Sequence, residues 1–65
     1  MMNKHYRMLV TDKSKAISEL KKENISAIDE DLGIYVTLKD QNISYVILLL
    51  NEKKVVVYDV EELVL

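Results

Sequence analysis

The sequence lacks the residues that build most cofactor, metal and nucleotide sites. Its 65 residues include no cysteine, no proline, one glycine (Gly33) and one histidine (His5). A loop that wraps a phosphate needs several glycines, because only residues without a Cβ let backbone N–H groups close around the anion. A metal site needs several converging thiolate or imidazole ligands. We therefore expect no cofactor, no metal centre and no catalysis, and neither binding nor hydrolysis of ATP.

Long apolar runs and an excess of basic charge are also missing. No stretch approaches the roughly 18 apolar residues of a membrane-spanning helix, and the polar N-terminal residues are unlike a signal peptide. Nine Lys and Arg are balanced by eleven Asp and Glu, for a net charge of −2. Nucleic-acid binding usually requires a basic stripe. We expect a cytoplasmic protein with no nucleic-acid partner and no membrane insertion, and the absence of cysteine fits a reducing compartment.

What the chain does contain is enough apolar sequence to fold. Apolar residues make up 49% of the chain, and no Pro- or Gly-rich linker divides it. Without disulfides, a domain near the lower size limit must derive its stability from apolar packing. We expect residues 1–65 to form one small α+β domain.

The first half of the chain gives clear local signals. Alternating polarity over residues 6–10 predicts a strand. Asp12 can then accept a hydrogen bond from a backbone N–H two or three residues ahead, as an N-cap does. A helix should continue to about residue 23, and Asn24 suits the left-handed conformation that often follows a helix.

The second half contains one ambiguous segment. Residues 26–29, 34–38 and 54–60 are predicted strands, with a turn at residues 31–33. Residues 43–50 are apolar enough for a strand, but a hairpin after them would lack the glycine that tight turns prefer. The apolar residues of this segment also recur at helical spacing, which favours a helix capped by Asp40 or Asn42: they are Ile43, Val46, Ile47 and Leu50.

The helix interpretation predicts a ferredoxin-like βαββαβ fold, with two helices on one face of a four-stranded antiparallel sheet. If residues 43–50 form a strand instead, the fold is βα followed by an antiparallel β-meander.

Four segments resemble a known small domain. They are residues 15–25 (KAISELKKENI), 31–38 (DLGIYVTL), 43–53 (ISYVILLLNEK) and 55–62 (VVVYDVEE). Together they resemble the C-terminal accessory domain of bacitracin- and lantibiotic-type ABC transporter ATP-binding proteins. The resemblance implies a ferredoxin-like fold and a noncatalytic, regulatory role beside a parent ATPase domain. Unlike that family, which commonly has glycine after each helix, this chain has Asn24 and Lys54. The ATPase motifs themselves are absent, so no ATP chemistry carries over.

A partner surface is predicted on the face of the sheet that the helices leave uncovered. Tyrosine and arginine among aliphatic residues are the composition of many protein-interface hot spots. The predicted partner-binding residues are Arg7, Leu9, Tyr35, Thr37, Val56 and Tyr58. The same pattern also fits an ordinary open sheet face with scattered apolar residues. The expected partner is a parent ATPase domain or a second copy, and the tail at residues 63–65 adds exposed apolar surface.

The other polar residues receive structural interpretations. His5 is expected to be an exposed histidine ahead of the first strand, and not a metal ligand or pH sensor. The acids at residues 29–31, and Glu61 with Glu62, are expected to be solvated. The serines lack an activating histidine or lysine arrangement and are interpreted as caps and surface residues: they are Ser14, Ser18, Ser26 and Ser44.

Three functions are compatible with these observations. The first is a noncatalytic interaction or regulatory module of an ABC transporter ATPase. The second is a free-standing small inhibitor or adaptor that binds a host protein, which the Met1-Met2 start keeps open. The third is an ACT-like domain that binds a small regulatory ligand, although residues 11–13 lack the glycine that such a domain usually places after its first strand.

Overall fold

The computed structural model describes residues 3–64 as six elements. In chain order they are β1 (Lys4–Val10), α1 (Lys13–Lys22), β2 (Ser26–Asp29), β3 (Ile34–Leu38), α2 (Ile43–Glu52) and β4 (Val57–Leu63). The Met1-Met2 start and Leu65 of the predicted apolar tail lie outside the described residues.

The four strands form one antiparallel sheet in the order β2-β3-β1-β4. The central strand β1 pairs with β3 on one side and with β4 on the other. β2 pairs with β3 at the far edge. With two helices, this order is the ferredoxin-like βαββαβ arrangement, so that prediction is confirmed and the β-meander alternative is wrong.

The helix at residues 43–50 forms because its apolar stripe faces the sheet. Val46 and Leu50 are fully buried, and Ile43 and Ile47 pack against the core as partly buried residues. Asn42 caps the helix: its Oδ1 accepts a hydrogen bond from the Ser44 N–H at 2.8 Å. Of the two caps expected here, the structure uses Asn42.

Both helices begin at a capping side chain and end in the same backbone motif. Asp12 caps α1 by accepting a hydrogen bond from the Lys15 N–H at 3.0 Å, as predicted. Each helix is followed by a residue with positive φ, Asn24 at 59° and Lys54 at 66°. The N–H of Ile25, the residue after Asn24, donates to the Leu20 carbonyl at 2.9 Å. Val55 makes the equivalent bond to Leu50, so both ends are Schellman motifs.

The core lies between the helices and the sheet. Every described residue that is buried there is apolar apart from the hydroxyl of Tyr6 and the backbone of Gly33. The core residues are Tyr6, Met8, Val10, Ala16, Leu20, Ile25, Ile34, Val36, Leu38, Val46, Leu50 and Val55. Alternation in β1 and β3, and helical spacing in α1 and α2, place these side chains on one side of each element.

The last strand begins later than the sequence predicts. β4 starts at Val57, whereas the β-branched run predicts a start at residue 54. Lys54 and Val55 instead complete the cap of α2, and a residue with φ of 66° cannot continue an extended strand. Val56 then exchanges two hydrogen bonds with Thr11, at 3.0 Å each, before the strand pairs with β1.

Candidate interaction surface

The face of the sheet opposite the helices is organised in cross-strand rows. Antiparallel partners share a face, so the pairing register identifies its members. This open face comprises His5, Arg7 and Leu9 of β1, Ser26 and Ile28 of β2, Tyr35 and Thr37 of β3, and Asp59, Glu61 and Leu63 of β4. Two rows cross all four strands. One is Ile28, Tyr35, Arg7 and Glu61, and the other is Ser26, Thr37, His5 and Leu63.

Arg7 is the centre of the first row and of its electrostatics. Its Nε donates to Glu30 Oε1 at 2.6 Å, and its Nη1 donates to Glu61 Oε1 at 2.8 Å. The hydrogen bond and charge of Glu30, with a smaller contribution from Glu61, raise the pKa of the Arg7 guanidinium above its usual value. The two ion pairs connect the central strand with β4 and with the loop after β2. Both Glu30 and Glu61, which the sequence assigns to solvent, therefore have a structural partner.

His5 lies inside β1, which corrects its predicted position ahead of the strand. It is half-buried on the open face, where its Nδ1 lies 3.2 Å from the Thr37 hydroxyl. Its ring packs beside Tyr35 with centroids 5.8 Å apart and tilted by 44°. β1 begins at Lys4, two residues before the clear alternation starts, because Lys4 pairs with Leu38 of β3, and His5 pairs with β3 and β4.

Four of the six predicted partner-binding residues lie on the open face: Arg7, Leu9, Tyr35 and Thr37. Val56 and Tyr58 are exposed but occupy other positions. Val56 precedes β4, and Tyr58 is the extra residue of an irregularity where Leu9 pairs with Asp59 and Val10 with Val57. This β-bulge changes the alternation along β4, so Asp59 takes the face that simple alternation assigns to Tyr58.

The predicted partner-binding residues omit two apolar members of the open face, Ile28 and Leu63. Leu63 is predicted in the apolar tail, whereas it is the last residue of β4. Ile28 is 59% exposed and stands opposite Tyr35, and Leu63 is half-buried opposite His5. Alternation within β2 identifies Ile28 once Ala27 is placed opposite Val36, on the helix side. Leu63 requires knowledge of the bulge, which the sequence does not mark with a glycine.

The acidic segment after β2 is held by basic side chains. Lys13 Nζ lies 2.6 Å from Asp29 Oδ1 and donates to the Glu30 carbonyl at 2.7 Å. Together with Arg7, this lysine fixes the loop against the start of α1. Within residues 3–64, no three acidic or histidine side chains are grouped closely enough to hold a metal ion.

The outward side of α2 is a second exposed apolar area. Leu48 is 62% exposed and Tyr45 is 47% exposed. The Tyr45 hydroxyl donates to Glu23 Oε1 at 3.2 Å and so links α2 to the residue that ends α1. This area lies on the opposite side of the domain from the open face, which makes it a natural reference for mutational tests.

Comparison of the chain with protein-family models, with curated proteins and with solved structures finds no match. Within residues 3–64, neither α1 nor α2 has the length and apolar character needed to cross a membrane.

Proposed function

We propose that this chain is a noncatalytic interaction module that binds a protein partner through the open face of its sheet. The observation that carries the proposal is the row Ile28, Tyr35, Arg7 and Glu61. It places an exposed aliphatic residue, an aromatic ring and an arginine side by side across the whole sheet. Aromatic and arginine residues with aliphatic neighbours are frequent anchors of protein interfaces.

The apolar residues of this surface lie on three neighbouring strands. Ile28 and Tyr35 are cross-strand partners, and Leu9 lies two residues beyond Arg7 on the same face. Burying a few hundred Å² of such surface at about 25 cal/mol per Å² gives several kcal/mol before the costs of association. This is sufficient for a complex of weak to moderate affinity.

The charged residues of the open face suit a positioning role. Arg7 already binds Glu30 and Glu61 within the domain, and its side chain is 34% exposed. Its guanidinium is therefore held in one place and need not lose much conformational freedom when a partner binds. Asp59, which is exposed and has no ion-pair partner among residues 3–64, adds negative charge at the β4 side and favours a basic residue of the partner there.

The partner that we propose is the ATPase domain of a bacitracin-type ABC transporter, with the chain acting as its regulatory accessory domain. The resemblance of the four segments named above supports this choice. A second copy of the chain is the next partner, and a host protein bound by a free-standing inhibitor or adaptor is the third. All three would use the same face, so one pair of variants tests the surface itself.

Ile28→Lys and Leu48→Lys form that pair. Both residues are aliphatic, exposed to almost the same extent (59% and 62%), and placed on opposite sides of the domain. Titration calorimetry would measure binding to an ATPase domain from which its own accessory domain has been deleted. Sedimentation equilibrium of the chain alone, up to millimolar concentration, would measure self-association.

We expect Ile28→Lys to weaken either association at least tenfold, about 1.4 kcal/mol, and Leu48→Lys to leave it unchanged. Tyr35→Ala should have an effect similar to that of Ile28→Lys while the far-ultraviolet circular dichroism stays native. The open face is the wrong surface if Leu48→Lys has the larger effect. The first two proposed partners are wrong if the unmodified chain neither binds the ATPase domain nor self-associates.

A further inference from the structure

An open cavity of about 340 Å³ lies between the start of β1 and the N-terminus of α2. It is on the helix side of the sheet and does not include any residue of the open face. Its walls are formed by Lys4, Tyr6, Lys39, Asp40, Gln41, Asn42 and Ile43. Its volume is within the range of small-molecule pockets, roughly 300–1,000 Å³.

Tyr6 brings an unused hydroxyl to this cavity. Its side chain belongs to the core and the residue is only 7% exposed. The hydroxyl has no hydrogen-bond partner among residues 3–64, yet no polar side-chain atom of that range is both sealed from solvent and unpaired. Tyr6 is one of the residues that line the cavity, so a ligand bound there lies against its side chain. A buried phenol with a free O–H group is a ready hydrogen-bond donor for a ligand.

Two lysines supply positive charge to the same cavity. In the described part of the chain, neither Lys4 nor Lys39 has a carboxylate within 4.0 Å, so both ammonium groups are free to bind an anion. Within residues 3–64 the same holds for the surface lysines Lys15, Lys21, Lys53 and Lys54. Asp40 is the one acidic side chain in the wall. The cavity consequently carries a net positive charge in a protein whose overall charge is −2.

The N-terminus of α2 adds one backbone donor. The Asn42 side chain satisfies the Ser44 N–H, and the Asn42 carbonyl accepts from Tyr45 and Val46. The Ile43 N–H, the first of this ten-residue helix, has no partner within residues 3–64. Free N–H groups and the helix dipole favour an anion at this position.

The two helix caps differ in a way that supports the same conclusion. α1 is capped by Asp12, whose carboxylate already places a negative charge at the N-terminus of the helix. α2 is capped by Asn42, which is neutral, so the dipole of α2 is left for an external charge.

From the unpartnered Tyr6 hydroxyl, the two unpaired lysines and the free start of α2, we propose that this cavity binds a phosphate-type oxyanion, either free or as the phosphoryl group of a small molecule. Lys4 and Lys39 neutralise the dianion, and Tyr6 and the Ile43 N–H donate hydrogen bonds to its oxygens. A cation is disfavoured here because the wall offers a single carboxylate.

The test is a titration followed by ¹⁵N-¹H correlation spectra at constant ionic strength, with inorganic phosphate in one series and phenyl phosphate in the other. We expect saturable shifts confined to the amides around residues 4–6 and 39–44. Tighter binding of phenyl phosphate would indicate a phosphorylated small molecule, and equal or tighter binding of inorganic phosphate would indicate the free ion.

Two variant pairs make the assignment specific. Tyr6→Phe removes the hydroxyl and keeps the ring, and Tyr58→Phe is its control at an exposed position. Lys39→Gln removes one cavity charge, and Lys15→Gln removes an exposed charge from the middle of α1. We expect a three- to tenfold loss of affinity for Tyr6→Phe and for Lys39→Gln, with both controls unchanged.

Linear, unsaturable shifts spread over all lysines would overturn the proposal, as would a Lys39→Gln variant that titrates like Lys15→Gln. Neither result bears on the proposal for the open face, because no residue of the open face lines the cavity. The two proposals therefore succeed or fail separately.

Discussion

The two halves of the molecule, β1-α1-β2 and β3-α2-β4, share the buried positions of their helices but differ in what those helices present to solvent. Ala16 and Leu20 of α1 correspond to Val46 and Leu50 of α2 at one constant separation along the chain. The same separation along the chain relates the capping residues Asp12 and Asn42, and the left-handed residues Asn24 and Lys54. In contrast, the solvent side of α1 is rich in lysine, whereas Glu52 is the one charged residue of α2.

This difference shows which positions the fold constrains. The buried positions must fill the space between helices and sheet, so they are apolar in both halves. The outward positions are free of that requirement. In α2 they are filled by apolar residues such as Leu48, which is why residues 43–50 are ambiguous between helix and strand, while α1 is not.

The largest test of this correspondence is truncation of the two equivalent leucines. Leu20→Ala and Leu50→Ala each remove a fully buried side chain and leave a cavity. We expect each to lower the free energy of unfolding by about 2–5 kcal/mol, measured by urea denaturation. Leu48→Ala, at an exposed site of α2, is the control. A loss of stability in only one of the two core variants would show that the halves do not contribute equally.

Gly33→Ala tests the contact between the halves. A Cβ at Gly33 would lie 2.2 Å from the Met8 carbonyl oxygen, a backbone atom of the central strand that cannot move aside. The φ of Gly33 is not positive, so the close approach of β1 is the reason for glycine here. We expect a loss of about 1–3 kcal/mol in the same denaturation experiment. Leu32→Ala, at the exposed neighbouring residue, should change little. Equal stability of both variants would mean that the loop can move away from β1.

The left-handed residues after the two helices give a smaller and opposite effect. Lys54 has a Cβ that disfavours a φ of 66°, whereas Asn24 tolerates its φ of 59° better. We expect Lys54→Gly to raise the free energy of unfolding by about 0.5–1 kcal/mol, and Asn24→Gly by about a few tenths. Lys53→Gly, at φ −92°, should be destabilising. A destabilised Lys54→Gly variant would contradict the cap geometry.

The smallest effect concerns the hydrogen bond that joins the two helices. The hydrogen bond and the charge of Glu23 raise the pKa of the Tyr45 phenol above its usual value, about 10. The folded state favours the protonated phenol. The hydrogen bond from Tyr45 to Glu23 therefore stabilises the fold below pH of about 10, and this stabilisation is lost as pH rises through the raised pKa of Tyr45. The Tyr45 ring carbon shifts, followed by NMR on the alkaline side, should titrate at lower pH in Glu23→Ala. Glu62→Ala, on β4, should leave the midpoint unchanged, and an unchanged midpoint in Glu23→Ala would exclude the bond.

Local patterns predicted much of this fold. The bounds of β2 and β3, the Asp12 cap and the left-handed Asn24 agree with the structure. Each depends on neighbouring residues only, either alternation or a cap within three residues. The start of β4 was wrong, because whether residues 54–56 extend a strand or complete a helix cap depends on how α2 ends.

The open face was predicted only in part for a related reason. Arg7, Leu9, Tyr35 and Thr37 follow from alternation along uninterrupted strands. Their pairing with Glu30, with Glu61 and with His5 depends on strand order and register, which bring distant residues together.

The sequence by itself determined the alternation of β1 and β3, the apolar stripes of the two helices and the residues that cap them. These features depend on interactions within a few residues. The tertiary structure decided that β1 is central, that a bulge moves Tyr58 off the open face, and that Tyr6, two lysines and the start of α2 share one cavity. Those outcomes require contacts between residues far apart in the chain, whose register is set by packing of the whole sheet against both helices.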